Sequence, residues 1–502
     1  MPPAFAADQS DTVKTLTQNP DTAHARTDFN LLTYDRSQAF QGLTAFVLWE
    51  RDNINLNWVR SIVVVMDMEG NFVNTLVNND GFNRIYETQM FNSTTVMYLT
   101  ASDHIPYLWN FRTDTVKALN FPSGFHDFEY NPFTDTFLVK RFAIQGQYDG
   151  LEIQYHDLYE YDRSGNVLWY WNSSKYFPFN PDLWTGETFE GQIEYMHANS
   201  IFWEVETGKI FYNSKNFDTF YQIDKSTGKV DWGLGRLGNF TLLDETGKVV
   251  DSLWYHAHSV EKIAPDRFIL YDNDDMNLTR SDPTADGISK MVEIKINLDN
   301  MTAQRVWSYS SPADHYSPVW GDANRLPNGN SLATFAYFTH DSYLTEVNPA
   351  GDVVWEVAFN RTDTRSWSIF RLERFIEKPL VEPSSRYTRD GIPIMDLSVW
   401  NTYRTRFHAD ARIIIKQDGQ VLLNEAFRFN PNWETTRLIY ELPTLHRGQV
   451  EITVINQNSI KKTIDYQFGE VNSSEQATNP YYIGLLPIIG IPILLRRKRR
   501  NQ

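Results

Sequence analysis

Histidines recur at one kind of place in this chain. "GFHDFEY" carries His126, "YMHANSIFW" carries His197, and "WYHAHSVEKI" carries His256 and His258. Each phrase leads into a run with strand character. A neutral imidazole near its ordinary pKa of about 6.5 is a nucleophile or a proton carrier at physiological pH. Three imidazoles around one cavity would also suffice for zinc, but no carboxylate at a recognisable ligand spacing accompanies them, so no metal is expected. Residues two apart in an extended strand share a face, so His256 and His258 are both expected to point inward. "DNDDMN", from Asp272 to Asn277, is rich in oxygen ligands but lacks a calcium-loop spacing, and is expected to be a solvated turn.

A repeat supplies the means of bringing these residues together. "VVVMDMEGNFVNTLV" begins at Val63, "LYEYDRSGNVLWYW" at Leu158, "FYQIDKSTGKVDWGLG" at Phe220 and "LTEVNPAGDVVWEVAF" at Leu344. Each is an alternating strand, a glycine-containing turn and a second strand, often with Trp, which is a β-hairpin pattern. The Trp residues after the turns are expected to be core. Further hairpin phrases precede several of these, such as "IFWEVETGKIFYNSK" and "ANRLPNGNSLATFAY". Two hairpins make a four-stranded sheet, and such units in series predict a β-propeller. The units fall near 43–80, 84–120, 124–173, 195–235, 256–310 and 318–375. His126, His197 and His258 stand near the starts of the third, fourth and fifth. The inner strands of a propeller deliver their leading loops to a central funnel, so these histidines are expected to converge there. Asn324 and Arg325 open the sixth unit and are further funnel candidates.

Composition supports the all-β reading and narrows the function. Aromatic residues make up 15% of 502, and they favour strands. A net charge of −17 argues against nucleic acid as a partner, because phosphate contacts need clustered cations. There is no cysteine, which excludes disulfides and thiolate chemistry. Beyond Glu377 the repeat stops, and alternation with closely spaced turns over 390–470 predicts a small Ig-like β-sandwich. Residues 1–40 are expected to form an N-terminal segment that includes a remnant of an export signal, and 41–378 the propeller. A linker over 471–480 then leads to an anchor over 481–502, where the apolar run Tyr481–Leu495 is followed by the cations Arg496 to Arg500. The run is short for a span, yet its basic flank places the body outside the cell and the tail in the cytoplasm. Sequons, for example at Asn92 and Asn239, agree weakly with export.

"MHANSIFWEVETGKIFYNSKN", "HSVEKIAPDRFILYDN", "GFHDFEYNP" and "YSPVWGDANRLPNGN" together resemble the blade motifs of the PAPS-independent arylsulfotransferases. The resemblance runs over roughly residues 40–375. It implies an exported six-bladed propeller that moves a sulfuryl group from an aryl sulfate to a phenol through a sulfohistidine, without metal or diffusible cofactor. It implies His258 as the transient nucleophile, His197 and Asn199 as sulfate ligands, and His126 as a further sulfate-side or acid–base histidine. The family carries an arginine where this chain has Lys215, so a point charge replaces a planar fork. The role of His256 is left as structural or gating, with substrate contact open. Because of Lys215 and the added sandwich, the competing expectation is a cell-surface binding propeller that recognises sulfated ligands without turning them over.

Overall fold

The computed structural model describes residues 22–124, 126–275 and 287–469. Strands account for 56% and helix for 4%, so the chain is all-β as expected. Eight sheets form, six of them from residues between Phe29 and Phe375. The first contains Leu43–Asp52, Asn57–Met66 and Phe72–Asn78. The second runs from Ile85–Asn92 to Thr115–Ala118, the third from Phe128–Asn131 to Val167–Trp171, and the fourth from Ala198–Glu204 to Val230–Gly235. The fifth runs from His258–Ala264 to Thr302–Ser310, and the sixth from Asp322–Arg325 to Val353–Phe359.

The hairpin phrase has a physical basis in its turns. Asp67 accepts the backbone N–H groups of Glu69 and Asn71, and Asp162 those of Ser164 and Asn166. Asn348 does the same for Ala350 and Asp352. The residue between each accepted pair is Gly70, Gly165 or Gly351, at φ of +88°, +88° and +91°. A side chain is strained in that region, which is why the phrase carries glycine there. The following strands deliver Trp171, Trp232 and Trp355 to the core, as expected.

Each sheet shares its apolar core with the next. Val47 and Val63 of the first pack with Val96 and Trp109 of the second. Met97 and Leu99 of the second meet Phe137 and Val139 of the third. Leu138 of the third meets Ile201 and Ile210 of the fourth, and Phe211 and Phe220 of the fourth meet Phe268 and Leu270 of the fifth. Ile269 and Met291 of the fifth meet Ala333 and Phe335 of the sixth, and Leu344 and Val357 of the sixth meet Phe46 and Val64 of the first. The packing therefore returns to its starting sheet.

The closure departs from the unit boundaries expected from sequence. Arg365–Phe375, expected at the end of the sixth unit, instead pairs with Leu43–Asp52 and forms the inner edge of the first sheet. Phe29–Tyr34 from the N-terminal segment pairs with Val353–Phe359 and extends the sixth. Both ends of the ring are thus held by strand pairs from distant sequence, in a chain that has no disulfide to do so. Opening the ring would expose both ladders at once.

Beyond the ring, a three-stranded sheet (Leu380–Tyr387, Pro393–Trp400, Thr436–Glu441) faces a four-stranded one (Ala409–Gln417, Gln420–Phe429, Gly448–Asn456, Lys461–Phe468). Met395, Leu397 and Val399 pack on Ile413, Ile415 and Ile452 across a shared core. No helix among the described residues is long and apolar enough to cross a membrane. The expected linker and anchor, and residues 1–21, lie outside the described residues.

Candidate active site

Six strands form the inner edges of the ring: Ile85–Asn92, Phe128–Asn131, Ala198–Glu204, His258–Ala264, Asp322–Arg325 and Arg365–Phe375. Their alternate residues fall in layers, as a two-residue period requires. One layer holds Arg371, which donates to Glu87 at 3.2 Å, to Asp127 at 3.1 Å and to the carbonyl of Asn199 at 3.3 Å. Burial alone would lower the guanidinium's pKa, but Asp127, Glu87 and Asp322 outweigh it and hold it above its ordinary value. Arg371 is therefore a fixed cation beneath the site.

The histidines gather at the leading ends of these strands. The His126 and His197 rings are 5.2 Å apart between centroids. Phe370 lies between histidines, 5.5 Å from His126 and 6.1 Å from His258. The sequence expectation that His126, His197 and His258 converge is met. Burial pushes all three well below their ordinary pKa, with Lys140 adding to the effect at His126, Lys215 at His197, and His197 and Lys215 at His258. His126 and His197 sit at φ of +84° and +45°, a strained conformation for a side-chain-bearing residue. The lowered pKa favours the neutral form of each resting histidine.

His258 has its tautomer set by a neighbour. Its Nδ1 is 2.6 Å from Asn273 Oδ1. Asn273 Nδ2 donates to the carbonyls of Ser317 and Trp320, both at 2.7 Å, which fixes which end of the amide faces the imidazole. The oxygen end can only accept, so Nδ1 carries the proton and Nε2 keeps its lone pair.

His197 lies beside carboxylates that the sequence reading missed. Its Nδ1 is 2.9 Å from Glu194 and 3.8 Å from Glu187. Glu187 comes from the long loop after the third sheet. The Nζ of Lys215 donates to both of its oxygens, at 2.9 and 3.1 Å. Burial would raise the pKa of Glu187, but Lys215 and then His197 overcome it and leave the pKa below its ordinary value. Glu187, Glu194 and His197 offer ligand atoms within 4.8 Å of one another, so carboxylates do accompany a site histidine, contrary to expectation. They could hold a divalent cation, but the Lys215 ammonium already offsets Glu187.

Two more buried groups grip the residue after His197. The Ala198 N–H donates to His156 Nδ1 at 3.3 Å, and Lys140 Nζ donates to the Ala198 carbonyl. His156 Nε2 therefore carries a proton, and it has no partner among the described residues. Burial pulls the Lys140 ammonium down to about 7. Asn199 ties the neighbouring segment: its Nδ2 donates to the Ala257 carbonyl at 2.9 Å, and its Oδ1 accepts from Asn213 at 2.6 Å. One amide proton of Asn199 remains for a ligand.

Other expectations are corrected. The strand begins at His258, and His256 has φ of +57°, so the two histidines do not share a strand face. His256 instead faces Asp275 at 3.1 Å, and its N–H donates to Asp218 at 2.8 Å. Arg325 is not in the site. It pairs with Glu293, donates to the Gly329 carbonyl at 2.7 Å and stacks over Trp307. Odd and even strand positions face opposite ways, and Arg325 is on the face that turns away from the centre. Asp272, Asn273 and Asp274 are buried, so the first half of "DNDDMN" is not a solvated turn.

The missed residues had uneven signals. Asn273 follows the apolar run at the end of a phrase already singled out, and could have been found. Lys140 and Arg371 sit in strands, "TFLVKRF" and "SIFRLERF", where a buried cation reads as an exposed one.

The family model described as Arylsulfotransferase (ASST) matches residues 55–371, more than half of the chain. No match was found among curated protein sequences. Among solved structures, the chain is similar to the β-propeller domain of Myceliophteria thermophila Cps50 (Swd1), at 12% identity and a TM-score of 0.32, covering 74% of this chain and 96% of that one. It is also similar to a hypothetical selenium-binding protein from Sulfolobus tokodaii, at 9% identity and a TM-score of 0.37, covering 86% and 92%. A third is the periplasmic gluconolactonase of Pseudomonas aeruginosa, at 9% identity and a TM-score of 0.33, covering 80% and 100%. With the family model spanning the sheets that carry His126, His197 and His258, the chain belongs to the arylsulfotransferase family.

Proposed function

We propose that the six sheets are the blades of a six-bladed β-propeller, and that its funnel transfers a sulfuryl group from an aryl sulfate to a phenol through His258. The observation that carries the reading is the Asn273–His258 pair, which leaves Nε2 unprotonated with its lone pair. Nε2 forms a bond to sulfur as the bond from sulfur to the aryl oxygen breaks, and that electron pair leaves with the phenolate. The phenol oxygen of the acceptor then attacks sulfur, the sulfur–nitrogen bond breaks, and Nε2 recovers its pair. Through both steps Nδ1 keeps its proton, and Asn273 Oδ1 offsets the positive charge on the sulfated ring.

The site's charge supports the proton movements. An incoming aryl sulfate brings a negative charge, which raises the pKa of nearby bases. His126, His197 or Lys140 then takes up a proton as the donor binds. That proton goes to the departing phenolate, and the acceptor's proton later replaces it. Arg371, Lys215 and the donors on His156 and Asn199 stabilise charge on the transferring group. The test is release of a coloured phenol from an aryl sulfate with and without a phenol acceptor. Acceptor-dependent release that His258→Asn abolishes supports the reading. Release that survives in that variant removes His258 from the mechanism.

One observation favours a second reading, a propeller that binds sulfated ligands without turning them over. Lys215, at the place of the family's arginine, is engaged by both oxygens of Glu187. A carboxylate from the chain itself then fills the position meant for sulfate. Binding of an aryl sulfate without any release would support that reading. We further propose a division into propeller and sandwich that is wider than the expected 41–378 and 390–470, because Phe29–Tyr34 joins the sixth sheet and Leu380–Tyr387 already belongs to the sandwich. The placement of the body outside the cell rests on the sequence of Tyr481–Arg500 alone.

A further inference from the structure

One wall of the site is aromatic and carries cations that have no acidic partner among the described residues. Tyr86 stands edge-on to His126, with ring centroids 6.5 Å apart. The Arg84 guanidinium lies 5.4 Å from the Tyr86 ring centre and 4.6 Å from that of Trp58, and its Nη2 donates to the Tyr86 hydroxyl at 2.7 Å. Its Nη1 donates to the Gly81 carbonyl at 3.3 Å, and its Nε has no hydrogen-bond partner. Trp58 continues the wall to Phe338, at 6.1 Å, and Arg51 lies over Phe338 at 4.5 Å. Among the described residues neither Arg84 nor Arg51 is ion-paired. The nearby Arg371 and the more distant Arg325 and Arg374 all are, by Glu87 and Asp127, Glu293 and Glu346.

This contrast needs a cause in a chain of net charge −17. Stacking on Trp58 and Tyr86 orients the guanidinium plane, and the ring faces contribute to holding it. Each Nη has a second N–H that its hydrogen bond leaves unspent, a pair of donors that suits a carboxylate or sulfate. Trp58, Tyr86 and Phe338 are each partly exposed, so the wall is open to a ligand.

We propose that this wall is the aryl subsite, and that Arg84, with Arg51 beyond it, selects aromatic ligands that carry a second anionic group in addition to the reacting oxygen. The preferred acceptors are then phenols with a carboxylate or sulfate substituent. The inference rests on the sulfuryl-transfer reading for its reaction, but not for its binding.

The test compares 4-hydroxyphenylacetate with 4-ethylphenol, an acid and a neutral phenol of similar shape. Acceptor kcat/KM is measured with an aryl sulfate donor, and equilibrium binding by calorimetry without donor, both on the full chain. The acid should be favoured by about tenfold or more, the effect of one charge-assisted contact. Arg84→Gln should bring the ratio close to one, Arg84→Lys should restore part of it, and Arg51→Gln should reduce it severalfold. If Arg84→Gln fails to fold, Arg84→Lys and Arg51→Gln carry the comparison. Turnover of both phenols at the same efficiency would overturn the subsite and leave sulfuryl transfer standing. Charge-selective binding that Arg84→Gln removes, without turnover of either phenol, would uphold the subsite and overturn the transfer reading. Equal binding of the two phenols without turnover would overturn both.

Discussion

The inner strands carry ionisable residues at both ends, and the two ends manage them differently. At the leading end stand His126, His197 and His258, where His258 keeps an Nε2 lone pair because Asn273 accepts from its Nδ1–H. Further along the same strands stand Glu129, Glu261 and Glu373, and there arginines are supplied to Glu129 and Glu261. Arg404 pairs with Glu261, and Arg406 reaches Glu261 at 3.0 Å and Glu129 at 3.3 Å while lying over Phe202. Both arginines come from the connection between two sandwich strands, Pro393–Trp400 and Ala409–Gln417. Glu373 accepts the Met90 N–H at 2.6 Å. Similar burial thus serves a cluster of histidines at one end and a structural joint built with arginines at the other. The sandwich, which the sequence reading could assign no role, supplies the cations of that joint.

The comparison breaks apart under substitution, and the largest effect should be on chemistry. His258→Asn is expected to cut turnover by about a thousandfold or more, with unchanged thermal unfolding. Next is a stability effect with no chemical counterpart. Arg404→Ala leaves Glu261 short of a partner in a buried site, and should cost about 3–5 kcal/mol in denaturant unfolding, with turnover per folded molecule unchanged. A drop in kcat for that variant comparable to its loss of stability would mean the two ends are coupled.

The two ends should also respond to pH with opposite signs. The histidines have folded pKa values well below 6.5, so as pH falls below 6.5 the unfolded chain binds protons that the folded one refuses, and stability falls. Burial raises Glu129 to about 7 and Glu373 to about 8. As pH rises from about 4.5 toward those values the unfolded chain releases protons that the folded one keeps, and stability again falls. Glu373→Gln should therefore gain stability relative to the parent as pH rises from 5 to 8. His126→Gln should gain relative to the parent as pH falls from 7 to 5. Melting temperatures across that range read both, and parallel curves for the two variants would refute the contrast. The smallest effect sharpens the leading end. Glu187→Gln frees the Lys215 ammonium and should lower the donor KM by a few-fold, with little change in kcat.

Much of the frame was legible because it depends on local chemistry. Asp or Asn, then glycine three residues on, sets the hairpin turn in three of the phrases, and Asp224 with Gly228 four residues on does so in the other; together these revealed the repeat. The convergence of His126, His197 and His258 followed from their place at the starts of units. Closure was not legible, because Arg365–Phe375 has the same alternation whether it pairs with its own unit or with Leu43–Asp52. His256 was misplaced because a left-handed residue leaves no mark in an alternation pattern. Lys140, Arg371 and Glu187 were missed because their partners come from other sheets or from a long loop. Arg325 shows the converse error, since a position at the start of a unit does not say which face the side chain takes.

The most direct test of the central claim is mass spectrometry of the protein after exposure to an aryl sulfate with no acceptor. The account predicts a gain of one SO₃ group on the peptide that carries His258, lost again when a phenol is added. Acceptor-dependent release without any such adduct would contradict it, and would require direct transfer between donor and acceptor.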